Sequence, residues 1–314
     1  MIHKIITPTP FAVGDVNAYV VKGDALSIVD VGTRTPEAYE ALRLGLKQLG
    51  YTFKDIEQVI LTHHHPDHAG WVDAFDNAEV LGHAYNDFWL KRDQAFFDYH
   101  DAFYKACLIE EGVPEQYLSW VERMKRPIAF MGERPLTQIL TEGDDLPGHP
   151  GWKVMETLGH AQSHLAFWHE QQQTLIGGDL LLEKVSSNPL IEPPMDKGSA
   201  RPKSLLQYNA SLERLLTLPI KIVYGGHGNE VHGVHELVTE RLQHQKERAM
   251  KVFEMVKEQP KTIYELTTEL FPVAHKKELG LTLSETIGQV DYLMAAQLFT
   301  EKEAENGVLY YAQS

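Results

Sequence analysis

Short apolar runs, closed by glycine or by polar turn residues, dominate the first 230 or so positions of the chain. Runs of this length read as buried strands rather than helices. Strands are expected over residues 2–7, 18–22 and 26–31, with Gly23-Asp24 as a hairpin turn, and then over 59–61, 79–81, 137–140, 152–157, 165–169, 174–179 and 220–224. Helical spacing of apolar positions intervenes at 36–49, where Thr35 is the expected cap, Pro36 the first helical residue and Gly50 the stop. A short helix is expected over 71–75, and an amphipathic one over 205–216.

Two stretches break this rhythm. Residues 84–135 read as two or three helices, interrupted near Gly112-Val113-Pro114 and Arg126-Pro127, and are rich in aromatic rings, Trp89 and Phe96 among them. These rings either pack the insert onto the body, form a dimer surface, or roof a site with an aromatic wall. Beyond residue 233 the pattern is helix, helix, helix, hairpin: 234–257, a short helix to 271 opened by Thr262, 284–298, and strands 299–302 and 308–311 around Glu305-Asn306-Gly307.

The chain has 314 residues, 43% of them hydrophobic, ample for one large domain and a small one. The expected division is 1–232 and 233–314. One cysteine, Cys107, excludes an internal disulfide and a cysteine metal cluster. No signal-peptide pattern opens the chain and no apolar span approaches membrane length, so a cytoplasmic protein is expected. The net charge of −15 opposes non-specific nucleic-acid binding.

Chemistry concentrates in Thr62-His63-His64-His65-Pro66-Asp67-His68, directly after the 59–61 run. In extended chain, residues two apart point the same way, so His63 and His65 can reach one metal together. Pro66 ends the extended geometry, and Asp67 and His68 leave the turn in another direction, suited to a second metal. Imidazole and carboxylate are donors for zinc or iron rather than calcium or magnesium.

The pattern H-x-H-x-D-H resembles the metal motif of the metallo-β-lactamase superfamily, most of all its glyoxalase II-like hydrolase branch. Four further matches stand with it in the family's order, each at a strand end: Asp30 before Gly32, His160 in a glycine turn, Asp179 after two glycines, and His227 in Gly225-Gly226-His227-Gly228. The resemblance covers roughly residues 2–231. It implies an α/β fold, a four-layer αββα sandwich with the metals at one edge. It further implies that His63, His65 and His160 hold one ion, that Asp67, His68 and His227 hold a second, and that Asp179 bridges them. Asp30 would orient the ligand loop, unless it is a plain turn residue. His164 is expected to be a structural polar residue. The C-terminal pattern resembles a winged-helix module; with Glu285 and Asp291 and no Lys or Arg over 282–297, a structural or dimerising role is expected rather than DNA binding.

Two transition-metal ions, Zn2+ first, with iron and manganese accepting the same donors, would activate a bridging water as nucleophile. Asp67, His68 and Asp179 would carry the catalytic centre. The expected function is hydrolysis of a small ester, thioester or lactone, with Trp89 and Phe96 as pocket candidates. A metal-dependent nuclease and a non-catalytic metal-binding protein are the alternatives. Nucleic acid and membranes are disfavoured as partners, and a homodimer is left open.

Overall fold

The computed structural model describes residues 2–313. Strands β1 (Ile2–Thr7), β2 (Val16–Lys22) and β3 (Leu26–Val29) form an antiparallel meander. Helix α1 (Pro36–Gln48) carries Thr35 as its cap, its hydroxyl accepting from the Ala38 amide at 3.2 Å, with proline in the first turn. Strands β4 (Gln58–Ile60), β5 (Glu79–Gly82) and β6 (Gln138–Ile139) then add in parallel, giving a six-stranded sheet in the order β1-β2-β3-β4-β5-β6. Between β5 and β6 lie α2 (Asn86–Leu90), α3 (Gln94–Glu110) and α4 (Trp120–Met124). The second sheet, β10-β9-β8-β7, is built from β7 (Trp152–Glu156), β8 (Leu165–His169), β9 (Thr174–Gly178) and, after α5 (Ser204–Leu216), β10 (Ile222–Gly225). The helix expected over 71–75 is a single 3-10 turn, Val72–Ala74. The chain turns back at once, the Ala78 amide donating to the Phe75 carbonyl, to enter β5.

Alternation along the strands makes the layers. Val29, Ile60 and Leu81 face the second sheet and meet Val154, Phe167 and Ile176 in the inter-sheet core. Their neighbours Ile28, Val59 and Val80 face the other way, onto Leu42 and Leu46 of α1. On the outer face of the second sheet, Ala166 and Leu175 pack on Tyr208, Leu212 and Leu215 of α5. A period of two thus places each strand in two cores at once, and the result is the expected αββα sandwich.

The C-terminal segment comprises α6 (Val234–Val256), α7 (Ile263–Leu270), α8 (Leu279–Ala295) and the hairpin β11 (Phe299–Ala304) and β12 (Gly307–Ala312). Its core is shared. Tyr104, Leu108, Val113 and Val121 of the insert pack with Val252, Ile263, Leu283, Ile287 and Phe299. Helix α6 joins both regions, with Val234 and Val238 against α5 and Ala249, Val252 and Val256 in the second core. Helix α8 begins five residues before the expected start and is largely buried; Gly288 lies so close to Leu205 of α5 that a Cβ would sit 2.9 Å from the leucine Cβ.

Glu111 lies under the hairpin, accepting from the Tyr310 hydroxyl at 3.3 Å. Burial, reinforced by Glu110, pushes its carboxyl up to about 8 despite nearby Arg201. An acid raised in the folded state stays protonated there while its unfolded counterpart ionises. Stability is therefore highest below the ordinary carboxylate pKa and falls as pH rises toward about 8. Glu111→Gln should remove much of this loss, raising stability at pH 8 by roughly 1–3 kcal/mol with little change at about pH 4.5. Urea melts of both proteins across that range check it; equal pH slopes would refute it.

Candidate metal centre

Every sequence-predicted metal ligand arrives from the carboxyl end of a strand or the turn just beyond it. The parallel pairs β3/β4 and β9/β10 bring four of those ends to the same edge of the sandwich. Asp30 follows β3, His63 to His68 follow β4, His160 lies in the turn after β7, Asp179 follows β9 and His227 follows β10. All but His65 are buried.

The side chains gather in two linked groups, His63–His65–His160 and Asp67–His68–His227, with Asp179 against both. In the first, His63 Nε2 and His160 Nε2 each lie 3.0 Å from His65 Nδ1. In the second, His227 Nε2 is 3.5 Å and His68 Nε2 3.9 Å from Asp67 Oδ2. The Asp179 carboxylate spans them. Its Oδ1 is 3.5 Å from His68 Nε2, and its Oδ2 is 3.5 Å from both His160 Nε2 and His227 Nε2.

Hydrogen bonds behind the rings fix which nitrogen faces inward. His160 Nδ1 donates to the Asn188 carbonyl at 3.0 Å and His227 Nδ1 to the Asp15 carbonyl at 2.8 Å; a carbonyl can only accept, so Nε2 points inward as the free donor atom. His68 Nδ1 meets Asp30 Oδ2 at 2.8 Å. Thr62 gives its hydroxyl proton to the same Asp30 oxygen at 2.8 Å, leaving its lone pair for His63 Nδ1 at 2.9 Å. Asp30 thus orients two rings and, through the Thr62 amide at 2.9 Å, the ligand strand itself. It does so from the left-handed region, φ 57°, a costly conformation for a non-glycine residue.

His68 Nε2, His227 Nε2 and Asp179 Oδ1 are buried without hydrogen-bond partners. Buried polar atoms are almost always paired. Three orphans converging with the three-imidazole group are what a divalent metal site presents, so the residues fit the ions. Gly226 belongs to the fit: a Cβ there would lie 2.1 Å from Asp179 Oδ1.

The two groups differ electrically. Burial, with neighbouring imidazoles, holds His63 and His65 well below the ordinary histidine value, and burial lowers His160 too. Burial also opposes charge on His68 and His227, but carboxylates win: Asp179, Asp30 and Asp67 raise His68 well above normal, and Asp179 and Asp67 push His227 up to about 10. Asp179 itself is buried, which works against ionisation, yet His68 and His227 keep its carboxyl well below the usual range. The first group is a neutral three-imidazole set, the second an acid-rich one.

His164 is not among these atoms. Its Nε2 accepts from the Asp179 amide at 3.0 Å and its Nδ1 meets Thr157 at 2.7 Å, so it holds the Asp179 backbone, and burial lowers its pKa to about 3. Trp89 reaches the centre indirectly, stacked on His64 at 4.7 Å and 4°. Phe96 lies one layer behind, edge-on to Trp89 at 5.3 Å and stacked on Phe88 at 4.6 Å. Phe11, in the loop that carries Asp15, meets Phe130 of the insert at 5.8 Å. Sequence reasoning missed His64, Ser187, Asn188 and Glu192. The last is a buried carboxylate 2.9 Å from His64 Nε2.

The chain is similar to several known proteins. The family model for the metallo-beta-lactamase superfamily matches residues 12–227. A probable metallo-hydrolase of Bacillus subtilis (strain 168), YqjP, is 43% identical over 98% of this chain and 96% of its own length. The crystal structure of the metallo-beta-lactamase family protein TTHA1429 from Thermus thermophilus superimposes with a TM-score of 0.81 at 28% identity, covering 99% of this chain and 98% of that one. A beta-lactamase domain protein from Burkholderia ambifaria shares the fold, with a TM-score of 0.77 at 19% identity over 99% of this chain and 92% of the other.

Proposed function

The chain belongs to the metallo-β-lactamase superfamily and is a metallo-hydrolase, and from that premise we propose that it cleaves a small ester, thioester or lactone at a centre of two divalent ions, Zn2+ first among them. The observation that carries the reading is the Asp179 carboxylate, 3.5 Å from imidazoles of both ligand groups. A structural metal site closes with four ligands; two groups sharing a carboxylate supply more than that. When bound, such ions supply the Lewis acidity that activates water and polarises a substrate oxygen.

The protein's own part is to hold and enclose. Thr62, Asp30, Asn188 and Asp15 fix four rings with Nε2 inward. Asp67 and Asp179 offset positive charge in the buried centre. Trp89, stacked on His64, is the ring proposed to contact a hydrophobic part of the substrate. Buried α8 and the net charge of −15 speak against a nucleic-acid substrate. In this reading residues 1–232 form the hydrolase domain. Residues 233–314 form a winged-helix-like module that braces the insert.

A panel of acyl thioesters, aryl esters, lactones and phosphodiesters, assayed on metal-loaded protein, tests the proposal. Carbonyl substrates should turn over, faster with a modest apolar acyl chain. Cleavage of a bis-aryl phosphodiester or single-stranded RNA with no carbonyl substrate touched would overturn it in favour of the nuclease. Trp89→Ala should act mainly on binding, raising KM about tenfold for the best ester, because roughly 50 Å² of lost apolar contact corresponds to about 1.4 kcal/mol. A fall in kcat with unchanged KM would contradict that role.

A further inference from the structure

We propose that Glu192 is a positioning residue of the first ligand group. The inference rests on the reading that His63, His65 and His160 hold a metal. Glu192 lies in the irregular segment between β9 and α5, yet it is 5% exposed and both its oxygens are engaged. Oε1 meets His64 Nε2 at 2.9 Å, and Oε2 accepts from the Gln162 amide at 2.5 Å.

Those contacts fall on two different ligand loops. His64 stands between His63 and His65, and its ring lies 5.0 Å, centroid to centroid, from that of His65. Its other nitrogen is also held. Ser163 Oγ accepts from the His64 amide at 3.0 Å, so its proton is free for His64 Nδ1 at 2.8 Å, and His64 Nε2–H is left for Glu192. Gln162 stands two residues past His160 in the third ligand's turn. The segment that carries Glu192 also supplies Ser187 and the Asn188 carbonyl, which hold His160 Nδ1 at 2.7 and 3.0 Å. A single carboxylate therefore ties the His63–His65 loop to the His160 loop. It also sets the angle of the ring on which Trp89 stacks.

Neither contact is available from within the regular secondary structure. The segment is kept in place from outside: the Tyr85 hydroxyl donates to the Pro193 carbonyl at 2.9 Å, Tyr104 donates to the Ile191 carbonyl, and Arg201 forms a two-pronged ion pair with Asp291 of α8 at 2.8 and 2.9 Å. The insert and α8 thereby deliver Glu192 to the centre.

The test is cobalt titration of metal-free protein, followed by visible absorption, which reads the ligand field of each site without any substrate. Wild-type protein should bind two ions in distinguishable steps; failure to do so would remove the metal reading itself. Given two steps, Glu192→Ala should weaken the three-histidine site by about 10–100-fold, the usual effect of losing a partner behind metal ligands, and shift its absorption. The Asp67–His68–His227 site should be unchanged. Glu192→Gln keeps one acceptor but turns an NH2 on the other donor, so it should weaken the same site less. Asp30→Asn, by contrast, should disturb both sites, because Asp30 holds His68 directly and His63 through Thr62. If Glu192→Ala does not fold, the isosteric Glu192→Gln decides by the same two readings. Wild-type affinity and spectrum in the Glu192 variants, or an equal loss at both sites with a lowered Tm, would overturn the assignment.

Discussion

Replacing Asp179 with alanine should reduce turnover of any substrate by at least three decades, roughly 4 kcal/mol of transition-state stabilisation. Its carboxylate lies within 3.5 Å of imidazoles from both ligand groups. Removing it leaves the buried rings of His68, His160 and His227 without the negative charge nearest to all three. Like charges brought to neighbouring sites would then repel without compensation in a medium where screening is weak. The fold should survive, because Asp179 is held through its backbone amide by His164, and its Oδ1 makes no hydrogen bond to the surrounding scaffold. Steady-state kinetics beside circular dichroism and a thermal melt separate the two effects. Retention of more than about a tenth of wild-type kcat/KM in a well-folded variant would rule out a shared carboxylate at the reacting centre.

The second large effect is on stoichiometry. Wild-type protein should carry two transition-metal ions per chain; His63→Ala should lose the ion of the three-histidine group, and Asp67→Ala mainly the other. The electrical contrast between the groups adds a further expectation. His227 is pushed up to about 10, and His68 is raised as well, so in the ion-free protein these rings are protonated near neutral pH, and a metal must displace those protons. His63 and His65, held low by burial, have none to lose. Filling the acid-rich group should therefore release protons, and its affinity should fall as pH falls; the three-histidine group should respond much less near neutrality. Calorimetric titration in two buffers of different ionisation enthalpy reads the proton count, and elemental analysis reads the ions. One tight ion, unaltered by Asp67→Ala, would sink the two-metal centre.

The ligand set is legible in the sequence because each member follows an apolar run of strand length. A period of two then settles which residues share a direction, as with His63 and His65. The sandwich follows from the same alternation, Ile28 outward and Val29 inward, repeated at Val59 and Ile60. Glu192 escapes because its segment has no periodicity, and nothing local marks a carboxylate that will be buried by the insert and α8. His64 reads as a spacer, since spacing alone does not show that Glu192 will meet its ring. The stretch over 282–297, with two acidic residues and no Lys or Arg, reads as a helix unfit for DNA. In the structure it is also a sign of burial: Thr282, Thr286 and Gln289 are all enclosed, with Thr286 bonded back to the Thr282 carbonyl at 2.9 Å.

The core shared by Tyr104, Leu108 and Val121 of the insert with Ile263, Leu283 and Phe299 of the tail bears on descent. Neither segment can shed its partner without exposing a row of large side chains to water. Lineages of this chain should therefore gain or discard the two together, and substitutions across that contact should drift in compensating pairs. A descendant with a shortened tail and an intact ring-rich insert should be rare, and its insert should have turned polar along α3.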